Sequence, residues 1–263
     1  MGVVNVTPDS FSDGGRFLEA GAAVDHACRL VEEGADIVDV GAESSRPGAD
    51  AVAPGEELRR LLPVLKGLRD LPVPVSVDTV KPEVMRAAIA EGASMINDIN
   101  ALRAPGALET VANADVGVCL MHMQGEPRTM QREPRYRDVV AEVKAFLAER
   151  VAAAEARGIA RERLVVDPGF GFGKAIEHNF ELLRNLGRLA EIGLPVMAGW
   201  SRKSTLSAVT GRGPAERVAA SVAAALLAVQ HGARIVRVHD VAATQEALAV
   251  LAAMGGQYGR EKR

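Results

Sequence analysis

Aromatic residues are scarce in this chain, since six phenylalanines, two tyrosines and one tryptophan make up only 3% of its 263 residues. The positions of these few rings are therefore informative. Four of them lie in segments rich in polar residues and glycine, namely Phe11, Phe170, Phe172 and Trp200. Rings in such segments suit contact with a flat molecule, and Phe11 and Phe172 are the two candidates for that contact.

Cysteine is also rare, and Cys28 and Cys119 are the two thiols of the chain. Two cysteines so far apart exclude a disulfide framework and a cysteine zinc site. We expect both to be buried apolar side chains.

The chain lacks a long apolar run and a large charge of one sign. No apolar stretch reaches the roughly 20 residues that cross a bilayer, and the start has no basic segment followed by an apolar one. The 31 Lys and Arg residues nearly balance the 34 Asp and Glu residues, for a net charge of -3. We therefore expect a cytoplasmic protein that binds neither membranes nor nucleic acid.

Short apolar runs alternate with longer amphipathic or alanine-rich stretches, which is typical of parallel βα units. We count eight units. The predicted strands are 2–6, 36–40, 73–77, 94–99, 116–121, 164–166, 195–198 and 235–238. The predicted helices are 19–33, 55–69, 82–91, a short segment after 105, 137–157, 176–192, 215–231 and 242–253.

Eight units of about 30 residues predict a closed barrel, whereas five or six would favour an open sheet. With 48% apolar and 25% charged residues, the chain can bury a large core. We predict an α/β fold, a single (β/α)₈ TIM barrel over residues 1–256 with long loops after strands one and two. Residues 257–263 are predicted to form a solvated tail.

Nearly every predicted strand ends in polar residues, namely Asn5, Glu43, Asp78, Asn97, Asp98, His122, Asp167, Ser201, Lys203, Arg237 and His239. The loops after the strands form the active face of such barrels. One polar residue there would be interpreted as a loop cap. A whole ring of donors and acceptors is costly to bury unless a polar molecule satisfies it.

These polar residues divide into two groups according to the hydrogen-bonding and charge properties of their side chains. One group mixes acceptors and donors in a way that suits a heterocycle with a ring N–H, an amino group and a carbonyl: Asp78, Asn97, Asp167 and Lys203. The other consists of cationic or neutral residues that suit an anion bound with a metal ion: Asn5, Arg46, Arg237 and His239. The sequence therefore predicts a ligand that consists of a flat polar heterocycle with an anionic group.

The glycine-rich segment 169–174 superficially resembles a nucleotide-binding loop. It lacks the Gly-x-Gly-x-x-Gly spacing, and Ala175 stands where a phosphate loop needs Ser or Thr. Two interpretations stay open, a flexible turn that lets the backbone approach a bound molecule and a tight structural turn.

His122 lies between Met121 and Met123 and is compatible with a ligand cluster. Packing is the more common use of such a segment at a strand end. We therefore favour packing, with Met121 as a wall of the pocket.

Eight segments resemble, in order, the signature segments of dihydropteroate synthases, a family of pterin-binding TIM barrels. They are 5–15 (NVTPDSFSDGG), 43–48 (ESSRPG), 76–79 (SVDT), 96–98 (IND), 121–125 (MHMQG), 167–174 (DPGFGFGK), 201–203 (SRK) and 237–240 (RVHD). They span nearly the whole chain, and the first segment and the glycine-rich segment are highly specific together.

The resemblance implies a transferase of folate biosynthesis and a target of sulfonamides. Such an enzyme condenses 6-hydroxymethyl-7,8-dihydropterin diphosphate with p-aminobenzoate to give 7,8-dihydropteroate and diphosphate. The resemblance also implies Mg²⁺ as the cofactor, mobile first and second loops that order over the substrates, and a homodimer formed through the later helices.

The resemblance further implies roles for individual residues. The pterin would be held by Asp78, Asn97, Asp167 and Lys203, with its pocket lined by Met121 and Phe172. Asn5 would help to hold Mg²⁺, and the diphosphate would face Arg46, Arg237 and His239. The p-aminobenzoate site would be bordered by Phe11, Ser45, Pro47, Ser201 and the stem of Lys203. The expected catalytic residues are Asn5, Asp78, Asp167, Lys203, Arg237 and His239.

The physical chemistry of these residues agrees with that assignment. A carboxylate accepts two parallel hydrogen bonds from an amino-pyrimidinone edge. Diphosphate leaves readily once its developing charge is neutralised, and a neutral aniline nitrogen needs no strong base to attack a nearly cationic methylene carbon. We therefore predict a dissociative displacement in which the protein mainly positions groups and stabilises charge.

The chain departs from the family pattern at a few positions. Ala42 stands where glycine is common, and Ser45 replaces a frequent threonine but keeps the hydroxyl. Trp200 stands where smaller or aliphatic residues are usual, so we expect a reshaped amine pocket. The chain begins almost at strand one, without the leader segment usual in the family.

Two other functions are compatible with a pterin site on a barrel. One is methyl transfer from methyltetrahydrofolate. The related methyltetrahydrofolate-dependent methyltransferases, however, lack the full first loop and the arrangement of residues 201–203. The other is a non-catalytic pterin-binding paralogue, against which the intact loops argue.

Overall fold

Eight short parallel strands form the centre of the molecule. The structure is a computed structural model that describes residues 1–6, 16–46 and 48–255. Its strands are β1 (Gly2–Asn5), β2 (Val38–Gly41), β3 (Val75–Asp78), β4 (Met95–Asp98), β5 (Gly117–Met121), β6 (Leu164–Asp167), β7 (Met197–Ala198) and β8 (Ile235–Val236). Phe11, Pro47 and the predicted tail 257–263 lie outside the described residues.

The helices follow the strands in sequence and cover the outside of the sheet. They are α1 (Arg16–Glu32), α2 (Pro54–Gly67), α3 (Pro82–Ala90), α4 (Ala107–Ala112), α5 (Val139–Ala156), α6 (Ile176–Arg184), α7 (Leu186–Ala190), α8 (Ser204–Thr210), α9 (Val218–Gln230) and α10 (Val241–Met254). In the described part of the chain, none of them is long and apolar enough to cross a membrane.

Two single bridges close the sheet into a barrel. Strands β1 to β6 pair in sequence order, and β7 pairs with β8. Val166 pairs with Val196, and Gly2 pairs with Val238, so that β8 meets β1. The N–H of Val3 donates to the carbonyl of Val238 at 3.0 Å. The predicted (β/α)₈ barrel is therefore confirmed, and closure leaves no exposed sheet edge along this seam.

Some helices differ from their predicted ranges. The helix predicted over 176–192 divides at Asn185, whose side-chain amide donates to the carbonyl of Glu181 at 2.9 Å and competes with the backbone. The helix predicted from 215 begins at Val218, after a separate 3₁₀ turn at Pro214–Glu216. Helix α8 was not predicted, because its short polar sequence reads as a loop.

The core has two layers. Valines of the strands face the helices and are fully buried, as at Val4, Val38 and Val118. A separate buried cluster consists of Met1, Met95, Cys119 and Met197. These residues come from the chain start and from strands around the barrel, so they meet inside it.

The two cysteines have different environments. Cys119 is buried, as predicted, and burial raises the pKa of its thiol well above the ordinary value. The prediction of burial was wrong for Cys28, which is exposed. Ala27 and Leu30 lie on the buried face of α1, and Cys28 lies on the other face.

Candidate active site

The predicted site residues lie at the carboxyl ends of the strands. Asn5, Asp78 and Asp167 are the last residues of β1, β3 and β6, and Asn97 lies in β4. Met121 is the last residue of β5, and Phe172 follows β6. Six further predicted residues follow the ends of β2, β7 and β8, namely Ser45, Arg46, Ser201, Lys203, Arg237 and His239. The closed barrel therefore brings these residues to one rim, where the active face of such a fold lies.

Arg237 is the central cation of this rim. Its Nε donates to Oδ2 of Asp39 at 2.6 Å, and its Nη2 donates to Oδ2 of Asp78 at 3.0 Å. Nδ2 of Asn97 donates to the same Asp39 oxygen at 3.2 Å. Asp78, Arg237, Asp39 and Asn97 thus form one continuous network across the mouth of the barrel.

Asp39 was missed by the sequence interpretation. It is fully buried in the middle of β2, two residues before the end of the strand at Gly41. A signal was present, because an aspartate interrupts the apolar run Ile37-Val38-Asp39-Val40. A buried carboxylate needs a partner, and the fold supplies Arg237 from β8.

Burial and the neighbouring charges shift the pKa values of Asp78 and Arg237. Burial raises the pKa of Asp78 to about 7, although Arg237 acts in the opposite direction. Burial also acts to lower the pKa of Arg237, but Asp39 and Asp78 outweigh it and the net shift is upward. The arginine therefore stays cationic between the two carboxyl groups.

Asp167 and Lys203 form a second group on the rim. Oδ1 of Asp167 accepts a hydrogen bond from the backbone N–H of Gly169 at 2.7 Å. Nζ of Lys203 donates to the carbonyl of Phe170 and lies 4.6 Å from the ring centre of Phe172. Burial raises the pKa of Asp167 and lowers that of Lys203 to about 8, while each residue partly offsets the shift of the other.

The two groups are neighbours in space. A Cβ built on Gly199 would lie 3.8 Å from Nζ of Lys203 and 3.9 Å from Cβ of Arg237. Both long side chains therefore approach the same small residue after β7. One ligand of moderate size can contact both groups.

Ser201 and His239 also meet. Oγ of Ser201 accepts a hydrogen bond from the backbone N–H of His239 at 3.1 Å and lies 2.9 Å from its Nδ1. Burial, Arg237 and Arg202 lower the pKa of His239 to about 4. The imidazole is therefore neutral at pH 7, and its Nε2 remains for a ligand.

The loop after β2 borders a cavity of about 780 Å³, whose lining includes Ser45 and Asp78. The N–H of Gly48 donates to the carbonyl of Pro127 at 3.2 Å, so this loop contacts the loop after β5. Arg46 is exposed, and its charge contributes to the lowered pKa of His239. Arg46 therefore lies within electrostatic reach of the β8 end of the rim.

The glycine-rich segment packs tightly against its neighbours, and the expected approach of its backbone to a bound molecule stays a prediction. Gly169, Gly171 and Gly173 all have positive φ, between 60° and 78°. A Cβ on Gly169 would lie 2.0 Å from the carbonyl oxygen of His122. A Cβ on Gly171 would lie 3.1 Å from Cδ of Lys203. Glycine is needed because the turn packs directly on the β5 loop and on the Lys203 stem.

Met121 and His122 pack as predicted. Met121 is buried in a cluster with Ile99, Met123 and Met130, and Phe172 packs against this cluster. The His122 ring contacts the edge of Phe146 at a centroid distance of 4.9 Å. Burial and Lys174 lower the pKa of His122 to about 2, so the ring is neutral.

Trp200 is buried behind the rim. Its ring lies 4.6 Å from that of Phe170 and 5.6 Å from that of Phe180. Trp200 also directly precedes Ser201, and its carbonyl accepts a hydrogen bond from the N–H of Lys203 at 3.2 Å. The expected reshaping of the amine pocket by Trp200 stays a prediction.

The described residues contain no group of three His, Cys, Asp or Glu side chains that could hold a metal ion. Asn5, the predicted metal ligand, is half-buried at the end of β1. Its amide offers one oxygen. A metal bound there must take its remaining ligands from elsewhere.

Comparison with known proteins gives consistent matches. The family model described as "Pterin binding enzyme" matches residues 1–239. A dihydropteroate synthase of Escherichia coli K12 is 50% identical over 254 residues, which cover 96% of this chain and 90% of that protein.

Solved structures of dihydropteroate synthases have the same fold. The Xanthomonas albilineans enzyme with 4-aminobenzoic acid superposes with a TM-score of 0.92 at 58% identity, covering 97% of this chain and 92% of that one. The complex of the enzyme from that organism with 7,8-dihydropteroate has a TM-score of 0.86 at 51% identity, with the same coverage.

The glycine-rich turn makes a stability prediction. Replacing Gly169 by alanine adds a clash with the backbone of His122 to the strain of a positive φ, so we expect a loss of more than about 2 kcal/mol. Gly211 is the matched control, because its φ of +69° is close to the +67° of Gly169 but a Cβ there meets nothing within 4 Å. Gly211→Ala should cost only about 1 kcal/mol. Equal losses for the two variants in urea denaturation would contradict the packing role.

Proposed function

The chain belongs to the pterin-binding enzymes and, within them, to the dihydropteroate synthases, and from this premise we propose how its rim makes 7,8-dihydropteroate. The proposed substrates are 6-hydroxymethyl-7,8-dihydropterin diphosphate and p-aminobenzoate. One observation carries the proposal: Asp78, Asn97, Asp167 and Lys203 lie on one rim around Arg237, and several of their polar atoms are left for a ligand.

The internal hydrogen bonds determine which atoms face the pterin. Arg237 donates to Oδ2 of Asp78, and Gly169 donates to Oδ1 of Asp167. Within the described ranges, each carboxyl group therefore keeps one oxygen for a ligand N–H. Asn97 donates its amide N–H to Asp39 and keeps its carbonyl oxygen. These acceptors match the amino and ring N–H groups of a pterin, and Lys203 can donate to its carbonyl. Met121 and Phe172 would pack on the ring.

The diphosphate is proposed to lie toward Arg46, Arg237 and His239. Arg237 donates from Nε and Nη2 to Asp39 and Asp78, and in the part of the chain that the structure describes its Nη1 remains for a phosphate oxygen. Neutral His239 can donate from Nε2 while Ser201 holds Nδ1. Arg46 supplies an exposed cation on the loop after β2. Together they stabilise charge on the leaving group.

Mg²⁺ is the proposed cofactor, with Asn5 as its protein ligand. A magnesium ion shared with a diphosphate keeps several waters and needs only one or two protein ligands. The single amide oxygen of Asn5 fits that need. When bound, the ion neutralises charge that develops on the diphosphate.

The p-aminobenzoate is proposed to lie between the loops after β1, β2 and β7. Its border would consist of Phe11, Ser45, Pro47, Ser201 and the stem of Lys203. Gly171 leaves room for this stem, because a Cβ at that position would lie 3.1 Å from Cδ of Lys203. The solved relative with 4-aminobenzoic acid supports an amine site on this fold.

These groups favour a dissociative displacement. The C–O bond to diphosphate breaks first, and the neutral amine nitrogen then attacks the methylene carbon. The nitrogen then gives its extra proton to the released diphosphate or to water. His239 has a lowered pKa and is engaged with Ser201, so it is not a strong base. The residues of the chain therefore act by positioning and by charge stabilisation.

We also propose a cytoplasmic homodimer formed through the later helices. Large apolar side chains are exposed on α9 and α10, where Leu227 is 45%, Val250 71% and Met254 73% exposed. Exposed apolar side chains gathered on adjacent helices suit an interface.

The enzymatic prediction is tested by product formation. With Mg²⁺, the protein should release diphosphate from the dihydropterin diphosphate in step with consumption of p-aminobenzoate, and chromatography should show dihydropteroate. Omitting the amine is the control. Pterin binding without product would instead indicate a non-catalytic paralogue and would overturn the proposal.

The pH dependence follows from Asp78 and Lys203. Asp78 must be ionised to accept from the pterin, so kcat/KM should fall as the pH drops below about 7. Lys203 must be protonated to donate, so kcat/KM should also fall as the pH rises above about 8. Lys203→Met should remove the alkaline limb and weaken pterin binding by roughly 10-fold or more. The exposed Lys66→Met is the control, and an unchanged alkaline limb in Lys203→Met would refute the assignment.

The homodimer is tested by light scattering. The wild-type protein should have twice the mass of the chain, and the double variant Leu227→Asp, Val250→Asp should be monomeric because it buries charge in the interface. Val209→Asp is the control, since Val209 is 61% exposed on α8. A monomeric wild-type protein would exclude the proposed assembly.

A further inference from the structure

Lys174, at the end of the glycine-rich turn, is a buried cation that the proposed mechanism does not use. Its side chain is only 3% exposed. Nζ donates to the carbonyl oxygens of Gly169 and Phe172, both at 2.9 Å, and lies 2.9 Å from Nδ1 of His122. The carbonyl of His122 is a further acceptor at 3.3 Å. Among the described residues it forms no salt bridge.

Such a group is costly to bury. An ammonium taken out of water loses its hydration, and burial lowers the pKa of Lys174 well below its ordinary value. Here the three N–H groups are matched by two carbonyls and an imidazole nitrogen. The cost is therefore offset by hydrogen bonds that tie the turn to the β5 loop.

His122 is suited to be the third acceptor. Its ring packs on Phe146 and Tyr136, at centroid distances of 4.9 and 6.1 Å, and stays neutral. A neutral ring with its proton on Nε2 presents an unprotonated Nδ1 to the ammonium. Tyr136 also donates its hydroxyl to the carbonyl of Gly173 at 2.8 Å, which secures the same turn.

The turn lies between two lysines. Lys203 contacts the carbonyl of Phe170 and the ring of Phe172 from the rim. Lys174 donates hydrogen bonds to the carbonyls of Gly169 and Phe172. These carbonyls lie next in the chain to the Phe170 carbonyl and the Phe172 ring that Lys203 contacts. Movement of the turn away from Lys174 would therefore move both contacts of Lys203.

We propose that Lys174 is a positioning residue, which, together with His122, holds the Phe170 carbonyl and the Phe172 ring in place and so orients the Lys203 ammonium toward the pterin. This role rests on the proposed function of Lys203. Lys174 does not touch the substrate in this arrangement. Its effect on pterin binding passes through Lys203.

A double-mutant cycle tests whether Lys174 affects pterin binding through Lys203. The variants are Lys174→Met, Lys203→Met and their combination, and the probe is 6-hydroxymethyl-7,8-dihydropterin diphosphate, titrated by calorimetry. We expect Lys174→Met to weaken binding about 10-fold in the wild-type background and less than about 2-fold in the Lys203→Met background. A residue that only stabilises the fold would weaken binding equally in both backgrounds, and that result would overturn the proposal. Lys66→Met controls for the loss of a lysine.

His122→Leu provides a second variant in case Lys174→Met does not fold, since it removes one acceptor and leaves the two carbonyls. It should weaken binding by a few fold, again only when Lys203 is present. Trp200, the single tryptophan, packs on Phe170, so its fluorescence in the ligand-free protein should shift in both variants. Unchanged fluorescence together with unchanged affinity would overturn the proposal.

Different results would overturn the proposed function and the proposed role of Lys174. Wild-type protein that neither binds the pterin nor makes dihydropteroate would overturn the proposed function itself. Normal wild-type activity with equal losses in the two backgrounds of the cycle would overturn the role of Lys174 alone.

Discussion

The ion pairs of Arg237 are the interaction on which the mouth of the barrel depends. Its guanidinium joins Asp39 of β2 and Asp78 of β3 to the chain after β8, across 198 and 159 residues of sequence. Removing one partner from a buried pair typically costs about 3–5 kcal/mol, because the other charge is left without compensation. The pairs therefore couple the closure of the barrel to the arrangement of its polar rim.

The same network decides what the rim can offer a substrate. Each rim residue uses part of its hydrogen-bonding capacity on the protein and keeps the rest for a ligand. Asp39 orients the Asn97 amide, Arg237 occupies one oxygen of Asp78, and Gly169 occupies one oxygen of Asp167. Internal bonds of this kind set positions before the substrate arrives, which is what a positioning mechanism requires.

The sequence predicted the architecture and most of the rim, and the physical reason is local periodicity. Alternating apolar and amphipathic stretches indicate βα units, and in a parallel barrel all strand ends meet on one side. Residues such as Asp78 and Asp167 could therefore be placed on the rim from the sequence alone. The strand order and the closed barrel were confirmed. The roles of the individual site residues stay predictions, and Phe11 and Pro47 also lie outside the described ranges.

Only the tertiary structure revealed which of these groups touch one another. The pairing of Asp39 with Arg237 depends on strand register and on closure between the two ends of the chain, and neither leaves a local pattern. Lys174 and His122 are 52 residues apart, and they meet only because the glycine turn packs on the β5 loop. The exposure of Cys28 likewise depends on the rotation of α1 against its neighbours. Local sequence thus determined the elements and their polar ends, whereas long-range packing decided the partners.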